Sequence, residues 1–493
     1  MADTQREIET KFDVAPDFVV GDLADILAAG DRIETDTVRL ISVYHDTSEN
    51  DLLRSRLTLR RRSGTADTGW HLKVPGAGFR TELRWPLSGH DAMPKELRRL
   101  IQPFSHGTEV TPRVQLRVDR HRYRIRDNTG TLRFEIADDE VRATGLATAV
   151  ATARWREVEV ELGPAGTATD LDLVGELLRK RGAFPSCSGS KLARAIHGTP
   201  ANHGPSDTAA AILAAYIGTQ CDAITAGHFA ISIKAFEVDA ASKPHEAIHQ
   251  TRVATRRLRA LLRTFAPMVE IGPAARLEAE LAWFAGELGE VRDREVLRAR
   301  LARAVDELPA FLVVGPVAQR IDHVLLVELR QHADALVETM QSARYHDLID
   351  DLAQWRERPP FTEAAMKPAD VLSPYVIAAE RRLTKRMKRA AKKQSPDEEL
   401  HSARKAGKRA RYAAEAAEPA LGKRAHELAR NAEALQTLLG EHQDSIVATE
   451  LLRRIADEVA QEGQNAFTYG ILVADQRRSA ADSARAARVS TQS

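Results

Sequence analysis

The chain has 493 residues, too many for one ordinary hydrophobic core, so two or three domains are expected. Apolar residues make up 43% and charged residues 29%, and 71 Lys and Arg against 70 Asp and Glu leave a formal charge of +1, so any polyanion site must come from local clustering of cations. Cys187 and Cys221 are too few for a disulfide framework or a cysteine zinc site, the charged Met1–Lys11 stretch lacks the apolar core of a signal peptide, and no apolar run is read as long enough to span a bilayer. A cytoplasmic protein with no membrane partner is expected.

Up to about residue 199 the chain alternates with period 2. Strands are expected at Glu7–Phe12, Val38–Tyr44, Leu57–Arg62, Trp70–Val74, Thr81–Pro86, Arg113–Arg126, Leu132–Ala137 and Trp155–Leu162. Helices are expected near Val20–Ala29 and Asp170–Lys180. Breakers across Gly198–Ser206 mark a linker, assigned to 200–206. Beyond it Ala, Leu, Arg and Glu recur at helical spacing, with almost no strand signal. This half repeats itself. Ile248-His249-Gln250-Thr251-Arg252 returns as Leu400-His401-Ser402-Ala403-Arg404, and Leu288-Gly289-Glu290 returns as Leu439-Gly440-Glu441. The offsets are 152 residues for the histidines and 151 for the glycines, which argues for a duplicated helical unit spanning about 207–355 and 370–475. The Pro-rich stretch Arg358–Pro374 would join the copies, and the Ala-, Ser- and Arg-rich end, 476–493, is expected to fray.

In the first half acids and bases share strand faces. Glu7, Glu9 and Lys11 point one way, as do Glu157, Glu159 and Glu161. Arg60 and Arg62 share a face, as do Arg120, Arg122 and Arg124, and Arg80, Glu82 and Arg84. Any one row reads most simply as a solvated face. Many rows of both signs in one small strand unit instead point to a closed barrel with a polar interior, in which arginines and lysines hold phosphates and carboxylates hold Mg²⁺ or Mn²⁺.

The ordered set Glu7-Ile8-Glu9-Thr10-Lys11, Tyr44-His45-Asp46-Thr47, Leu59-Arg60-Arg61-Arg62, Trp70-His71-Leu72-Lys73, Arg80-Thr81-Glu82, Arg117–Arg122, Glu135–Asp139, Glu157-Val158-Glu159-Val160-Glu161 and Ser190-Lys191 resembles the CYTH domains of the triphosphate tunnel metalloenzymes over about residues 1–197, which assigns the domain to 1–199. The resemblance implies an eight-stranded antiparallel tunnel. It implies Glu7, Glu9, Glu157 and Glu159 as holders of one or two divalent metals, Mg²⁺ or Mn²⁺, with Asp138 or Asp139 helping. Lys11, Arg60, Arg62, Lys73, Arg80, Arg120 and Lys191 would grip the triphosphate, with Arg117 or Arg122 as alternatives to Arg120. Tyr44 and Trp70 are read as packing residues. Glu7, Glu9, Lys11, Glu157 and Glu159 would carry catalysis, a metal-assisted hydrolysis of a phosphoanhydride. No Walker A sequence or Gly-rich phosphate loop is present.

In the helical half His249, Arg252, Arg256, Arg259 and Arg263 lie on one stripe of a helix, opposite Leu258, Leu261, Leu262 and Phe265. His401, Arg404, Lys405, Lys408 and Tyr412 form the second stripe, with Arg381–Lys393 densely basic upstream. A charged stripe is usually a solvated face, but these contain almost no acids to pair with. The same residues, with Arg409-Ala410-Arg411, resemble the CHAD family of conserved-histidine helical domains over 207–475. The resemblance implies two four-helix units around a basic groove binding inorganic polyphosphate. The expected architecture is thus an antiparallel β tunnel followed by an all-α duplicated four-helix bundle. The leading functional reading is an inorganic triphosphatase with a polyphosphate-binding helical domain, placed in the cytoplasm and at polyphosphate granules. The competing readings are a non-catalytic polyphosphate scaffold and a thiamine triphosphatase or adenylyl cyclase-like activity. With 5% aromatics and no DNA-reading motif, the sequence argues against a nucleic-acid binder and is silent on oligomeric state.

Overall fold

A computed structural model describes residues 3–63, 67–76, 79–87, 92–146, 152–198, 207–235, 245–392 and 397–489. The linker residues 200–206, Lys393 of the basic run and the last four residues lie outside the described residues. The chain divides into two compact units, Met1–Gly204 and Pro205–Ser493.

The first unit is one antiparallel sheet of strands β1 (Asp3–Glu7), β2 (Glu9–Asp13), β3 (Arg32–Asp46), β4 (Thr58–Ser63), β5 (Gly69–Pro75), β6 (Arg80–Pro86), β7 (Thr111–Arg126), β8 (Leu132–Gly145), β9 (Ala153–Leu162) and β10 (Phe184–Pro185). The sheet has ten strands rather than the expected eight. The two additional strands arise because the N-terminal segment breaks at Ile8 and because the short β10 pairs onto β2. The break is what closes the sheet. β1 pairs with β6 and β2 with β9, so one continuous segment joins both ends of the strand order β1-β6-β5-β4-β3-β7-β8-β9-β2.

Alternation sets the two faces of this barrel. Phe12, Phe134, Ile136, Val158 and Val160 point outward and form a core with Val174 and Leu178 of a covering helix. The residues between them point inward and are mostly charged. Among the described residues four helices accompany the sheet: α1 (Asp51–Arg54), α2 (Lys95–Ser105), α3 (Ala168–Lys180) and α4 (Lys191–His197). Helix α3 begins with a capping box of Thr167 and Asp170. Helix α4 starts where Ser190 Oγ accepts from Ala193 N, and its Leu192 and Ala195 pack with Leu40, Val114, Leu116 and Val141, so it plugs one end of the barrel.

The helix expected at Val20–Ala29 is absent apart from a single 3-10 turn, Ala24–Ile26. Gly21 and Gly30 at its ends have φ of +72° and +91°, the left-handed region that stops a helix, while Val20, Leu23 and Ile26 still reach the core. Helix α2 was not expected, although Leu97, Leu100, Ile101 and Phe104 carry the helical spacing and are buried.

The second unit is helical: α5 (Ala209–Ala235), α6 (His245–Thr264), α7 (Ile271–Asp306), α8 (Val317–Thr339), α9 (Ala343–Glu357), α10 (Ser373–Ala390), α11 (Asp397–Leu421), α12 (Lys423–Gln461) and α13 (Phe467–Val489). Consecutive helices pack in the same order in α5–α8 and α10–α13, and α6 and α11 carry the repeated histidine motifs, so the two four-helix copies are these, with α9 inserted against α5. The frayed tail is a correction. Residues up to Val489 continue α13, with Ala480, Ala484 and Ala487 buried, because small side chains at this spacing let helices approach closely. A second correction concerns apolar length. Ala209–Ile233 of α5 is long and apolar enough to cross a membrane by length and composition, yet it packs against α6, α9 and α11, and its Asp222 pairs with Arg356 at 3.1 Å.

Candidate functional site

The inward residues of the barrel enclose a cavity of about 650 Å³. Among the described residues, ten cationic side chains and seven carboxylates line it, an excess of positive charge that suits a polyanion. Cross-strand register places them. Glu9 faces Glu161 and Lys11 faces Glu159 across β2 and β9; Glu7 faces Arg80 across β1 and β6; Lys73 faces Glu82 across β5 and β6.

Most of the carboxylates are held by cations. Lys11 Nζ lies 2.7 Å from Glu159 and 3.2 Å from Glu9. Lys73 donates to Glu7 at 2.7 Å. Arg120 donates to Glu159 at 2.8 Å and, through two bonds of 2.7 Å, to Asp139. Burial would raise the Glu9 and Glu159 carboxyls, but Lys11 and its cationic neighbours hold both well below the usual range. The cations respond in kind: against burial, Glu7 and Glu9 lift Lys73 to about 12. Arg60 donates to Glu82 at 2.8 Å, and Glu82 also receives Arg84.

Two groups depart from this balance. Burial, Arg60 and Arg120 push Arg62 down to about 10, although Asp67 is 2.6 Å away, so the cavity is over-supplied with positive charge there. Burial, Glu7, Glu9 and Glu159 push Glu161 up to about 7, so it is over-supplied with negative charge beside β2. The Nε atoms of Arg60 and Arg62 are buried without a partner. The cavity is thus polarised, with an excess of positive charge around Arg62 and an excess of negative charge around Glu161.

The expected site residues fall as follows. Glu7, Glu9, Lys11, Arg60, Arg62, Lys73, Arg80, Arg120, Glu159 and Lys191 all line the cavity. Glu157 does not. It is buried beneath the cavity with Lys191 at 2.7 Å and Trp155 Nε1 at 2.5 Å. Glu161, next in the same row, lines the cavity instead; the period-2 row was visible in the sequence, but no role was given to its last member. Asp138 is a correction. It points to the outer face and pairs with Arg156 at 2.7 Å, whereas Asp139 is fully buried on the inner face with Arg120 and Lys191. Parity decides between them, since Ala137 and Asp139 share the face opposite Phe134 and Ile136. Of the alternatives to Arg120, Arg122 also lines the cavity and Arg117 does not. Tyr44 and Trp70 are buried; the Tyr44 hydroxyl lies 3.4 Å from Arg60.

Among the described residues no three metal-capable side chains already converge on one point, because lysines stand between the acids. The donor chemistry still fits a hard divalent cation. Glu7, Glu9, Glu159 and Glu161 are oxygen ligands on adjacent strands, and the raised Glu161 marks the place where a cation would relieve repulsion.

In the helical unit α6 packs on α11, so the two stripes meet in one seam. Arg252, Arg256, Arg404 and Lys408 interact there. Burial, Arg256, Arg404 and Arg252 push Lys408 down to about 6, and burial and the same neighbours lower Arg256. Among the described residues no carboxylate lies in ion-pair range of Arg256, Arg404, Lys405 or Lys408, and Arg404 Nε is buried without a partner. The stripes are not free of acids throughout. Asp293 pairs with Arg252 at 2.6 Å, and Glu278 holds both Arg259 at 2.9 Å and Arg263 at 2.6 Å. These acids come from α7 and could not be seen in the stripe's own spacing. Tyr412 is buried beneath the arginines, its ring under Arg257 and Arg411. His249 is half-buried and His401 exposed, with Nδ1 3.2 Å from Gln443.

Family models match this chain as a CYTH domain over residues 5–196 and a CHAD domain over residues 228–453. Two proteins of Mycobacterium tuberculosis, the uncharacterized proteins MT2285 (strain CDC 1551 / Oshkosh) and Rv2226 (strain ATCC 25618 / H37Rv), are each 33% identical over 491 residues, covering 94% of this chain and 92% of their own. The chain belongs to the family that joins a CYTH domain to a CHAD domain. Among solved structures, PptA from Streptomyces chartreusis is similar at 24% identity and TM-score 0.46, over 58% of this chain and 98% of its own. The CHAD domain from the plant Ricinus communis is similar at 25% identity and TM-score 0.47, over 59% and 93%. CYTH proteins form a family of triphosphate tunnel metalloenzymes that depend on divalent cations and include triphosphatases and cyclases, and CHAD domains are linked to polyphosphate in some homologues.

Proposed function

We propose that the CYTH domain hydrolyses inorganic triphosphate and that the CHAD domain binds inorganic polyphosphate. The observation that carries the first reading is the polarised cavity, with Arg62 crowded by Arg60 and Arg120 at one patch and Glu161 crowded by Glu7, Glu9 and Glu159 at another. A linear phosphate chain with its divalent cation corrects both at once.

Arg60, Arg62, Lys73, Arg80 and Arg120 bind and orient the chain through charge-assisted bonds, and being fixed by Glu82, Glu7 and Asp139 they need no reorganisation during reaction. Glu7, Glu9, Glu159 and Glu161 would hold Mg²⁺ or Mn²⁺. That ion supplies charge neutralisation and lowers the proton affinity of water. Lys11 and Lys191 keep Glu9 and Glu159 ionised and placed. The barrel wall and the α4 plug limit bulk water. Among the described residues no lining side chain supplies an aromatic face for a nucleobase or thiazolium ring beyond Tyr44, which favours an inorganic substrate over a nucleotide or thiamine triphosphate. Phosphate release from a panel of tripolyphosphate, ATP and thiamine triphosphate, with Mg²⁺, Mn²⁺ or EDTA, tests this. Equal turnover in EDTA would sink it.

The second reading rests on the α6–α11 seam, where Arg256, Arg404 and Lys408 repel one another and, among the described residues, no carboxylate lies in ion-pair range of them. Such crowding costs stability unless a polyanion occupies it. Competition of long-chain polyphosphate against DNA for the full-length protein separates this from nucleic-acid binding.

A further inference from the structure

We infer that Asp36, backed by Glu34, limits the length of phosphate chain that the tunnel accepts by occupying the arginines at its mouth. This rests on the triphosphatase reading above. Strands β3 and β7 run on past the cavity, with β8 still paired to β7, from Val38 opposite Arg120 to Asp36 opposite Arg122 and Glu34 opposite Arg124. The three arginines share one face at a spacing of about 6.8 Å each, roughly two phosphates of a linear chain per step. Arg120 and Arg122 line the cavity, and Arg124 lies beyond it.

The counter-charge changes along this ladder. Inside the cavity the β3 partner of Arg120 is Val38, which leaves Arg120 to the interior carboxylates. At the mouth Asp36 takes Arg122 through two bonds, Nε to Oδ1 at 2.8 Å and Nη2 to Oδ2 at 2.6 Å. Arg124 reaches the same Oδ2 at 3.2 Å, and Arg126 Nε is 3.0 Å from Glu34. Each arginine continuing the path outward is therefore already paired by β3. A phosphate chain growing past the cavity would meet the Asp36 carboxylate where it needs the Arg122 guanidinium. Glu135, facing Arg124 across β7 and β8, adds to the same barrier. Exposed cross-strand pairs contribute little to stability, so a purely structural ladder gives no reason for the acids of β3 to begin where the cavity ends.

The test is the chain-length preference of the full-length protein, from initial rates on tripolyphosphate and pentapolyphosphate at fixed Mg²⁺. Asp36→Asn keeps the shape and removes the charge. It should lower KM for pentapolyphosphate about ten-fold, the effect of one freed charge-assisted bond, and leave kcat and the tripolyphosphate KM within about two-fold. Adding Arg122→Gln to Asp36→Asn should remove the gain. Glu34→Gln, at an exposed position, should shift the ratio the same way by less, and serves if the Asp36 variant folds poorly. A structural ladder would alter both substrates together or neither. Normal tripolyphosphate turnover with an unchanged ratio overturns the Asp36 assignment alone. Wild-type protein that hydrolyses neither substrate overturns the triphosphatase reading and this inference with it.

Discussion

Lys191 Nζ stands 2.7 Å from Glu159 Oε1, so the first residue of α4 and the middle of β9 are joined at the floor of the cavity. Lys11 shares that oxygen and Arg120 takes the other, which leaves Glu159 held by three cations. Glu159→Gln should therefore do two separable things. Tripolyphosphate turnover should fall about 10²–10³-fold, since a fixed charge at the reacting centre is lost. The free protein should also melt at lower temperature, because three buried cations each lose one of their carboxylate partners, and added tripolyphosphate should restore part of that loss. Phosphate release and thermal shift, read side by side, check both. Unchanged turnover would remove Glu159 from the chemistry.

Arg60→Ala and Lys73→Ala should act on affinity. Each deletes a buried cation, and a charge-assisted bond to phosphate contributes about 1.5–3 kcal/mol, so kcat/KM for tripolyphosphate should drop roughly 10–100-fold, mostly through KM. Glu82 keeps Arg84 and His71 as partners in Arg60→Ala, so the barrel should survive, as circular dichroism would show.

The α6–α11 seam should trade stability for binding. Arg256→Gln or Lys408→Gln relieves repulsion within an unpaired cation cluster. Melting temperature should rise by about 2–4 °C for each kcal/mol relieved, while affinity for long-chain polyphosphate falls. Reversal of Arg252, Arg256, Lys405 and Lys408 to Glu should abolish binding, and wild-type affinity should drop steeply with salt as counterions compete. Melting points that fall in both single variants would show that the cluster is structurally compensated.

Polyphosphate binding at this seam should take up a proton. Lys408 faces Arg252 and Arg256 from α6, Arg404 on α11 and Asp444 on α12, and burial with these cations brings it to about 6 from an ordinary 10.5. At neutral pH it is mostly uncharged, and a bound polyanion favours the charged form. Affinity should therefore weaken as pH rises above 6, with a slope approaching about one proton. The sign for folding is opposite. The unfolded chain binds this proton more tightly, so the cost to stability is full below pH 6 and fades as pH rises towards 10.5. Lys408→Arg cannot lose its proton and should flatten the binding slope. Calorimetry in buffers of different ionisation heat reads the proton directly.

The order of charged pairs along single strands and helices determined the two domains, the barrel with a polar interior and the duplication, because period 2 and period 3.6 bind a side chain's direction to its position in the chain. Lys11, Arg60 and Glu159 were legible as cavity residues for that reason, and Lys73 through the CYTH resemblance. Only the tertiary structure decided which neighbour answers each charge. Asp139 rather than Asp138 faces the interior because the register of β8 was set by packing Phe134 and Ile136 under α3. Glu157 sits below the cavity because α4 delivers Lys191 to it. Arg259 and Arg263 are taken by Glu278 of a different helix, whereas Arg256 and Lys408, on helices about 150 residues apart in sequence, are brought face to face with no carboxylate in ion-pair range among the described residues. Electrostatic pairing depends on distance in space, and spacing along one element carries no information about charges arriving from another.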